Sequence, residues 1–445
     1  MPRAAPAPAA TVDREAVLAF RWARHQLGRA PGSGDAEALD VDLLDAGVQD
    51  TGPDGSAWAL ALRGLDPTPA TADRLALAWT LRGAPHAYRR ADLGAIAVAT
   101  APWGEADAAK RIFDASKPLR AAGIDVLDAL RTLADLLRDL AAQPIVKGDA
   151  SGRLNALLPD PFLRDCRPCK ARHIYELPFR LATLQAGLEL RAGTSPPVLE
   201  RVPGLVPNRL AHLADDADPR VDVIRCALRF WGPTTPKEVA ALLDVPAKDV
   251  RARWPEDAVE VSTEDAEGRA GAAILGEDLE VLVTAGDAGR PGELRLLGPY
   301  DPYLQGRDRE VLVADPDRRR ALWPVLGRPG AIAVDGRIVG LWRPRTAKGA
   351  LTLRIEDWDD LDRCRDARRA GRAPRPPPPG GLRRHGADGR RVTEPDADPW
   401  GIQGATTTCG AAGGSPGPRW RPPCAGRWAP TTTVREPDRP LAPGS

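Results

Sequence analysis

The segment "RFWGPTTPKEVAALLDVPAKDVRARW", Arg229 to Trp254, constrains the fold most, because its punctuation separates short helices from one another. Upstream, Val221, Ile224 and Leu228 recur at helical spacing, and the run stops at Trp231-Gly232-Pro233. Pro236 stands where a new helix can begin, since the first helical position loses nothing by lacking an N–H. Val239, Leu242 and Leu243 then share one side of that helix, and Val245-Pro246 breaks it. Pro246 opens a further turn that carries Lys248, Arg251 and Arg253. Short helix, tight turn and basic helix make a helix-turn-helix pattern, which points to nucleic acid.

Composition narrows the class without naming a partner. The 445 residues are enough for two or three domains, with 43 % hydrophobic and 28 % charged residues and a net charge of +1. No apolar run reaches a membrane-spanning length, and "MPRAAPAPAATVD" lacks a secretory apolar core, so a cytoplasmic, membrane-free protein is expected. Six Cys in a chain this long do not make a disulfide framework. The charge is uneven: residues 361–445 hold 15 Arg, no Lys and 8 acidic residues, which leaves the first 360 residues at about −6. A nucleic-acid protein with an acidic body has to concentrate its positive field locally.

Along the chain, Val17, Leu18, Phe20 and Trp22 within Val12 to Leu27 predict a helix, and a second is expected from Ala36 to Ala46. "LALAWTLRGAPHAYRR", Leu75 to Arg90, starts as a strand and breaks at Gly83-Ala84-Pro85. Ile124, Leu127, Leu130, Leu133, Leu136, Leu137 and Leu140 predict a long amphipathic helix. "PIVKGDASGRLNALLPD" reads as a turn with a hairpin, and Cys166 to Leu190 as helix. "AVEVST", "AAIL" and "LEVLV" alternate like strands, and Asp335-Gly336 between "AIAV" and "RIVGLW" signals a type I′ hairpin turn. From about Asp362 aliphatic residues nearly vanish, which predicts a disordered tail.

"FWGPTTPKEVAALL", "LLGPYDPYL" with "RDRE", "LWPVLGRPGAIAVDGRIVGLWR", and the N-terminal "GVQDT" with "WTLRGAPH" together resemble the AlkZ/YcaQ-like winged-helix proteins. The resemblance covers roughly residues 12 to 357. It implies a mainly α fold with small β-hairpins (α+β), tandem winged-helix units in a C-shaped body, and a disordered tail. The expected divisions are an N-terminal winged-helix unit at 12–105, a helical middle at 106–215, a second winged-helix unit at 216–290, a C-terminal winged-helix or hairpin unit at 291–360, and the tail at 361–445. The resemblance further implies a monofunctional DNA glycosylase acting on alkylated bases, including interstrand crosslinks. Its partner is duplex DNA, it needs no cofactor, and it works as a monomer associated with the nucleoid. A non-catalytic DNA-binding or regulatory protein is the alternative.

The family's catalytic motif is Gln-x-Gln or Gln-x-Asp, and here the matching position reads Gln49-Asp50-Thr51. Gln49 matches, and Thr51 stands where the second Gln or Asp is found. A Gln amide oxygen can orient water and stabilise positive charge growing on the sugar, so Gln49 is the expected catalytic residue with Asp50 or Thr51 assisting; equally, Gln49 and Asp50 can simply shape a turn. His86 and Arg82 match a region suited to holding a phosphate or an extruded nucleotide, or form a surface turn. Lys248, Arg251 and Arg253 are groove contacts or a solvated helix face. Tyr300, Tyr303, Arg307 and Arg309 resemble a block lining a concave surface, with the tyrosines either stacking on bases or packing in a turn. Cys166, Cys169 and His173 supply three of the four ligands of a structural zinc, so no metal is expected and a reduced thiol pair is the simpler reading. With no Lys near Gln49, no Schiff-base lyase step is expected.

Overall fold

The helix-turn-helix punctuation is met residue by residue. Helix Val223–Trp231 begins at Asp222, whose carboxylate accepts from the amides of Ile224 and Arg225 at 3.0 and 2.8 Å. It ends at Gly232, where a Cβ would sit 2.2 Å from the Leu228 carbonyl oxygen, so no other residue fits. Helix Pro236–Leu243 carries a complete capping box between Thr235 and Glu238 and stops at Asp244, which takes a left-handed conformation at φ 61°. Helix Ala247–Ala252 follows Pro246. Strand Ala258–Thr263 then pairs antiparallel with Ala273–Leu275, and Ala10–Val12 joins it in parallel on the other side.

The computed structural model describes residues 8–359 except 35–38, 53–54, 66–67, 168–169, 206–215, 264–270, 287–291 and 348–349. The expected tail at 361–445 lies outside the described residues. Helix Arg14–Arg24 is capped by Asp13 and lies inside the predicted Val12–Leu27. The helix expected over Ala36–Ala46 appears, in its described part, only as a single 3-10 turn at Asp42–Asp45. Helix Val126–Leu140 buries Val126, Ala129, Leu130, Leu133, Ala134 and Leu137 on one face, as its spacing requires. The Glu105 carboxylate accepts from the amides of Val126 and Leu127, closing its first turn.

β-structure is more extensive than a mainly α reading allows, so the chain is a mixed α and β protein. An antiparallel six-stranded sheet runs in the order Val48–Gln49, Pro85–Arg89, Leu75–Trp79, Leu188–Leu190, Val198–Arg201 and Ile145–Val146. Its hydrogen bonding draws on residues from both sides of position 105. A second, four-stranded sheet holds Leu294–Leu297, Gly330–Val334, Arg337–Ala347 and Ala350–Asp357. Its turn at Asp335-Gly336 has φ of 47° and 89°, the two positive values that a type I′ turn needs.

Three local expectations are overturned. "PIVKGDAS…" is a two-residue strand followed by helix Lys147–Leu157, whose Ala150 and Leu154 are buried one turn apart. Gly148 and Gly152 mask that pattern in the sequence, and packing overrides their low helix propensity. The stretch from Cys166 is not continuous helix: Leu163–Cys166 and Ala171–Ile174 form a hairpin, and only Glu176–Gln185 is helical before the strand at Leu188. "LEVLV" is the helix Leu279–Thr284, which buries Leu282 and leaves Val281 and Val283 exposed. Its apparent alternation comes from valines facing solvent.

Two buried ion pairs join N-terminal elements to the segment around residues 301–308. Arg63 reaches Asp301 with two bonds of 2.7 and 3.0 Å, and Arg21 reaches both oxygens of Asp308; Arg63 and Arg21 are 0 and 2 % exposed. Removing one partner of such a pair strands the other charge in a poorly solvating interior. Asp301→Ala is therefore expected to cost about 3–5 kcal/mol, read from urea denaturation midpoints. Replacing Arg63 and Asp301 together by apolar residues should cost clearly less.

Candidate active site and nucleic-acid interface

The site begins with a strand of two residues. Val48 and Gln49 pair with Ala87 and His86 at the edge of the six-stranded sheet, so Gln49 and His86 face each other directly. Opposed residues of an antiparallel pair project to the same side. The neighbouring Gly47 has φ 86°, and a Cβ there would run into the Tyr88 ring at 2.5 Å. Gln49 is 8 % exposed, and its Nε2 donates to Thr51 Oγ1 at 2.8 Å. Asp50 is turned elsewhere: its Oδ1 accepts from the amide and hydroxyl of Ser56 at 3.0 and 2.7 Å, where helix Gly55–Ala61 starts. The three motif residues therefore separate into a linked pair, Gln49 and Thr51, and a structural carboxylate, Asp50.

His86 Nδ1 lies 3.0 Å from the Ala84 carbonyl oxygen and 3.0 Å from Thr80 Oγ1. A carbonyl only accepts, so the ring proton sits on Nδ1 and Nε2 keeps its lone pair. Burial, helped by the nearby Arg82 charge and opposed by the Ala84 bond, lowers the His86 pKa to about 4. The imidazole is neutral at physiological pH and brings no charge to a phosphate.

Gln49, Arg82, His86, Trp231, Leu242 and Gln305 line a crevice of about 20 Å³. That volume accommodates roughly one water. Three distant parts of the chain meet there: the six-stranded sheet, the helix-turn-helix through Trp231 and Leu242, and the loop after Tyr303. Trp231 Nε1 donates to the Pro302 carbonyl at 2.8 Å and seals one side.

A cluster of arginines adjoins the crevice. Arg82 sits in a turn with φ 56° and donates to the Leu242 carbonyl at 3.0 Å and to Gln305 Oε1 at 3.3 Å. Burial and the charges of Arg307 and Arg328 lower its pKa to about 10, and Asp244 offsets this in part. Burial, followed by Arg307 and Arg328, likewise lowers Arg309 to about 10. Arg307 is lowered by burial and by Arg328, and its buried Nε has no hydrogen-bond partner. Arg309 stacks on Trp323 at 4.9 Å and Arg328 on Tyr300 at 5.3 Å. Four guanidiniums that repel one another, one with an orphaned nitrogen, form a field suited to an anion.

Comparisons with known proteins give the family and the fold. The profile of the AlkZ-like DNA glycosylases matches residues 43–373. The chain belongs to the AlkZ-like DNA glycosylase family. The fold is similar to that of Streptomyces sahachiroi DNA glycosylase AlkZ, with a TM-score of 0.55 and 20 % identity, covering 77 % of this chain and 90 % of that one. No curated protein matches the sequence.

Within this AlkZ-like chain, several expected contact residues take other roles. Tyr303 is 1 % exposed; its hydroxyl donates to the Gly336 carbonyl at 2.7 Å and its ring packs edge-on against Trp22 and His25, so it is not placed to stack on a base. Tyr300 is half-buried beneath Arg328. Lys248 and Arg251 are exposed on helix Ala247–Ala252, while Arg253 lies over the Trp103 ring at 5.0 Å. That helix does not line the crevice; its predecessor does, through Leu242. Arg328 and Gln305 escaped the sequence reading, since neither belongs to a periodic pattern and arginine is common throughout the chain.

The thiol cluster shows no assembled metal site among the described residues. Cys166 is buried at a strand end, His173 Nδ1 lies 2.8 Å from the Ile174 carbonyl oxygen, and Cys169 lies outside the described residues. A larger cavity of about 380 Å³ is lined by Arg24, Asp42, Asp45, Arg229, Glu277 and Asp278. Burial raises the pKa of Asp45 and Asp278, and four carboxylates against two guanidiniums give that cavity the wrong sign for a polyanion.

The depressed His86 pKa has a stability consequence. The unfolded histidine titrates near 6.5 and the folded one near 4, so the unfolded state takes up the proton first. Stability should be level above about pH 6.5 and fall toward about pH 4, with His86 contributing on the order of 3 kcal/mol. Fully buried His25, whose pKa burial and Arg63 lower, acts with the same sign. Urea midpoints measured across that range should fall less steeply in His86→Gln than in the unaltered protein.

Proposed function

We propose that this protein is a monofunctional DNA glycosylase that hydrolyses the N-glycosidic bond of alkylated bases in duplex DNA, including bases joined in interstrand crosslinks. The observation carrying this reading is the juxtaposition of the Gln49 amide with an arginine field at one crevice. Gln49 orients water and stabilises positive charge developing on the deoxyribose. Arg82, Arg307, Arg309 and Arg328 hold the phosphates beside that sugar. The exposed Lys248 and Arg251, with Arg253 over Trp103, add contacts to the duplex from the helix-turn-helix, which with its paired strands we read as one of a set of tandem winged-helix units.

The small crevice favours cationic alkylated bases as substrates. It is too narrow to enclose a nucleobase, so recognition does not rest on a pocket shaped to one base. A cationic base leaves as a neutral molecule, and the lesion itself lowers the barrier that modest groups such as an amide must overcome. A base tethered to the opposite strand cannot enter a closed pocket, but it can present its sugar to an open one. Among the described residues no lysine lines the crevice, which supports hydrolysis rather than Schiff-base chemistry. We place the protein on DNA in the cytoplasm, acting as a monomer; no helix among the described residues is long and apolar enough to cross a membrane.

The replacement of the motif's second Gln or Asp by Thr51 favours one other reading, a DNA-binding protein without catalysis. Incubation with duplex DNA carrying N-alkylpurines separates the two. The glycosylase reading expects alkali-labile abasic sites, reduced about 100-fold in Gln49→Ala. No release above that variant's background would leave only the binding role. On undamaged duplex, Arg307→Gln and Arg328→Gln should each reduce the slope of log affinity against log salt by about one; unchanged slopes would remove these arginines from the interface.

A further inference from the structure

Gln49 and His86 each commit one polar atom to the protein and leave one acceptor. Gln49 Nε2 donates to Thr51 Oγ1 at 2.8 Å, which holds the amide with Oε1 on its other side. His86 Nδ1 is engaged by Ala84 and Thr80, and Thr80 Oγ1 is in turn 2.8 Å from the Tyr88 hydroxyl, so the ring is locked in place. Gln49 Oε1 and His86 Nε2 have no protein partner among the described residues, and neither is sealed from solvent. The two residues are directly opposed across the strand pair and line the same crevice, whose volume of about 20 Å³ suits a single water. Two acceptors facing one water engage both of its protons and direct its lone pairs outward.

We propose that Gln49 Oε1 and His86 Nε2 together hold the hydrolytic water, that His86 is the base receiving its proton, and that Thr51 is the positioning residue that keeps the Gln49 amide turned toward it. This rests on the glycosylase reading and completes it, since the motif's usual second group is missing. In the step, the C1′–N bond breaks and its electron pair leaves with the cationic base, which becomes neutral. The water oxygen bonds to C1′, one of its protons passes to His86 Nε2, and the resulting imidazolium releases that proton to solvent. Held neutral by burial and by Arg82, His86 is always ready as an acceptor and quick to give the proton up. Such a weak base suffices because departure of the base runs ahead of attack, so the water meets a strongly electrophilic carbon. Asp50, committed to Ser56, has no part in the step.

The test is single-turnover base release from duplex DNA carrying N-alkylpurines, with affinity for the same duplex measured in parallel. His86→Ala should slow release by about 100-fold or more with affinity unchanged, and added imidazole should restore part of the rate. Thr51→Val should slow release less, and Thr51→Ser should retain it. Release at the full rate in His86→Ala, or a loss that affinity and unfolding midpoint follow in parallel, would overturn the proposal while leaving the glycosylase reading intact. Absence of release by the unaltered protein would remove both. Independently of activity, nitrogen-15 NMR of His86 at neutral pH should show a neutral ring protonated on Nδ1; an imidazolium or an Nε2-protonated ring would overturn the assignment.

Discussion

The structure depends on guanidinium groups placed where no solvent reaches them. Arg21, on the first helix, donates to both oxygens of Asp308 and to the carbonyls of Trp231, Gly232 and Pro233. A single side chain thereby joins the N-terminal helix, the end of the helix Val223–Trp231 and the loop carrying Arg307 and Arg309. Arg63 does the same for Asp301, whose carboxylate also accepts from the Tyr303 amide at 2.9 Å. Desolvation makes such pairs poor sources of net stability compared with apolar packing, but it also makes every alternative arrangement costly. Their consequence here is geometric: Trp231, Pro302 and Gln305 are brought to one crevice, and Arg307 and Arg309 flank a fixed Asp308.

That geometry places opposite electrostatic characters side by side. The crevice floor presents acceptors, an amide oxygen and an imidazole nitrogen, which suit a water proton and a sugar gaining positive charge. Its border is strongly cationic, which alone would disfavour such a sugar. In the proposed reaction the two fit together once backbone phosphates neutralise the arginines, so DNA binding would do more than hold the substrate: it would remove a field that opposes the reaction. An acidic body with local positive charge answers the same need, since guanidiniums elsewhere are largely engaged with carboxylates such as Asp45, Asp92 and Asp257.

Elements whose signals are local were legible in the sequence. Pro236 and Pro246 mark helix starts through their missing N–H and fixed backbone angle, and Asp335-Gly336 marks a turn through its own dihedral angles. The Val126–Leu140 helix shows its buried face in its spacing. Where burial decided, the reading failed. Val281 and Val283 look like a strand face yet point to solvent from a helix, and Gly148 and Gly152 hide a helix held by Ala150 and Leu154. Of the candidate site, Gln49, Thr51, Arg82, His86, Arg307 and Arg309 were found by motif, whereas Tyr303 proved to be core and Arg328 and Gln305 carried no signal.

The sequence by itself determined the succession of short helices from Val223 to Ala252, the type I′ hairpin and the family, because these rest on short-range hydrogen bonds, turn angles and residue order. Only the tertiary structure decided which polar atoms are still available. Asp50 is consumed by Ser56, Gln49 and His86 are set opposite each other with one acceptor apiece, and Arg328 reaches Arg82 from far along the chain. Which hydrogen bonds a buried group has already made depends on contacts between distant segments, and those are settled by packing and desolvation rather than by neighbours in sequence.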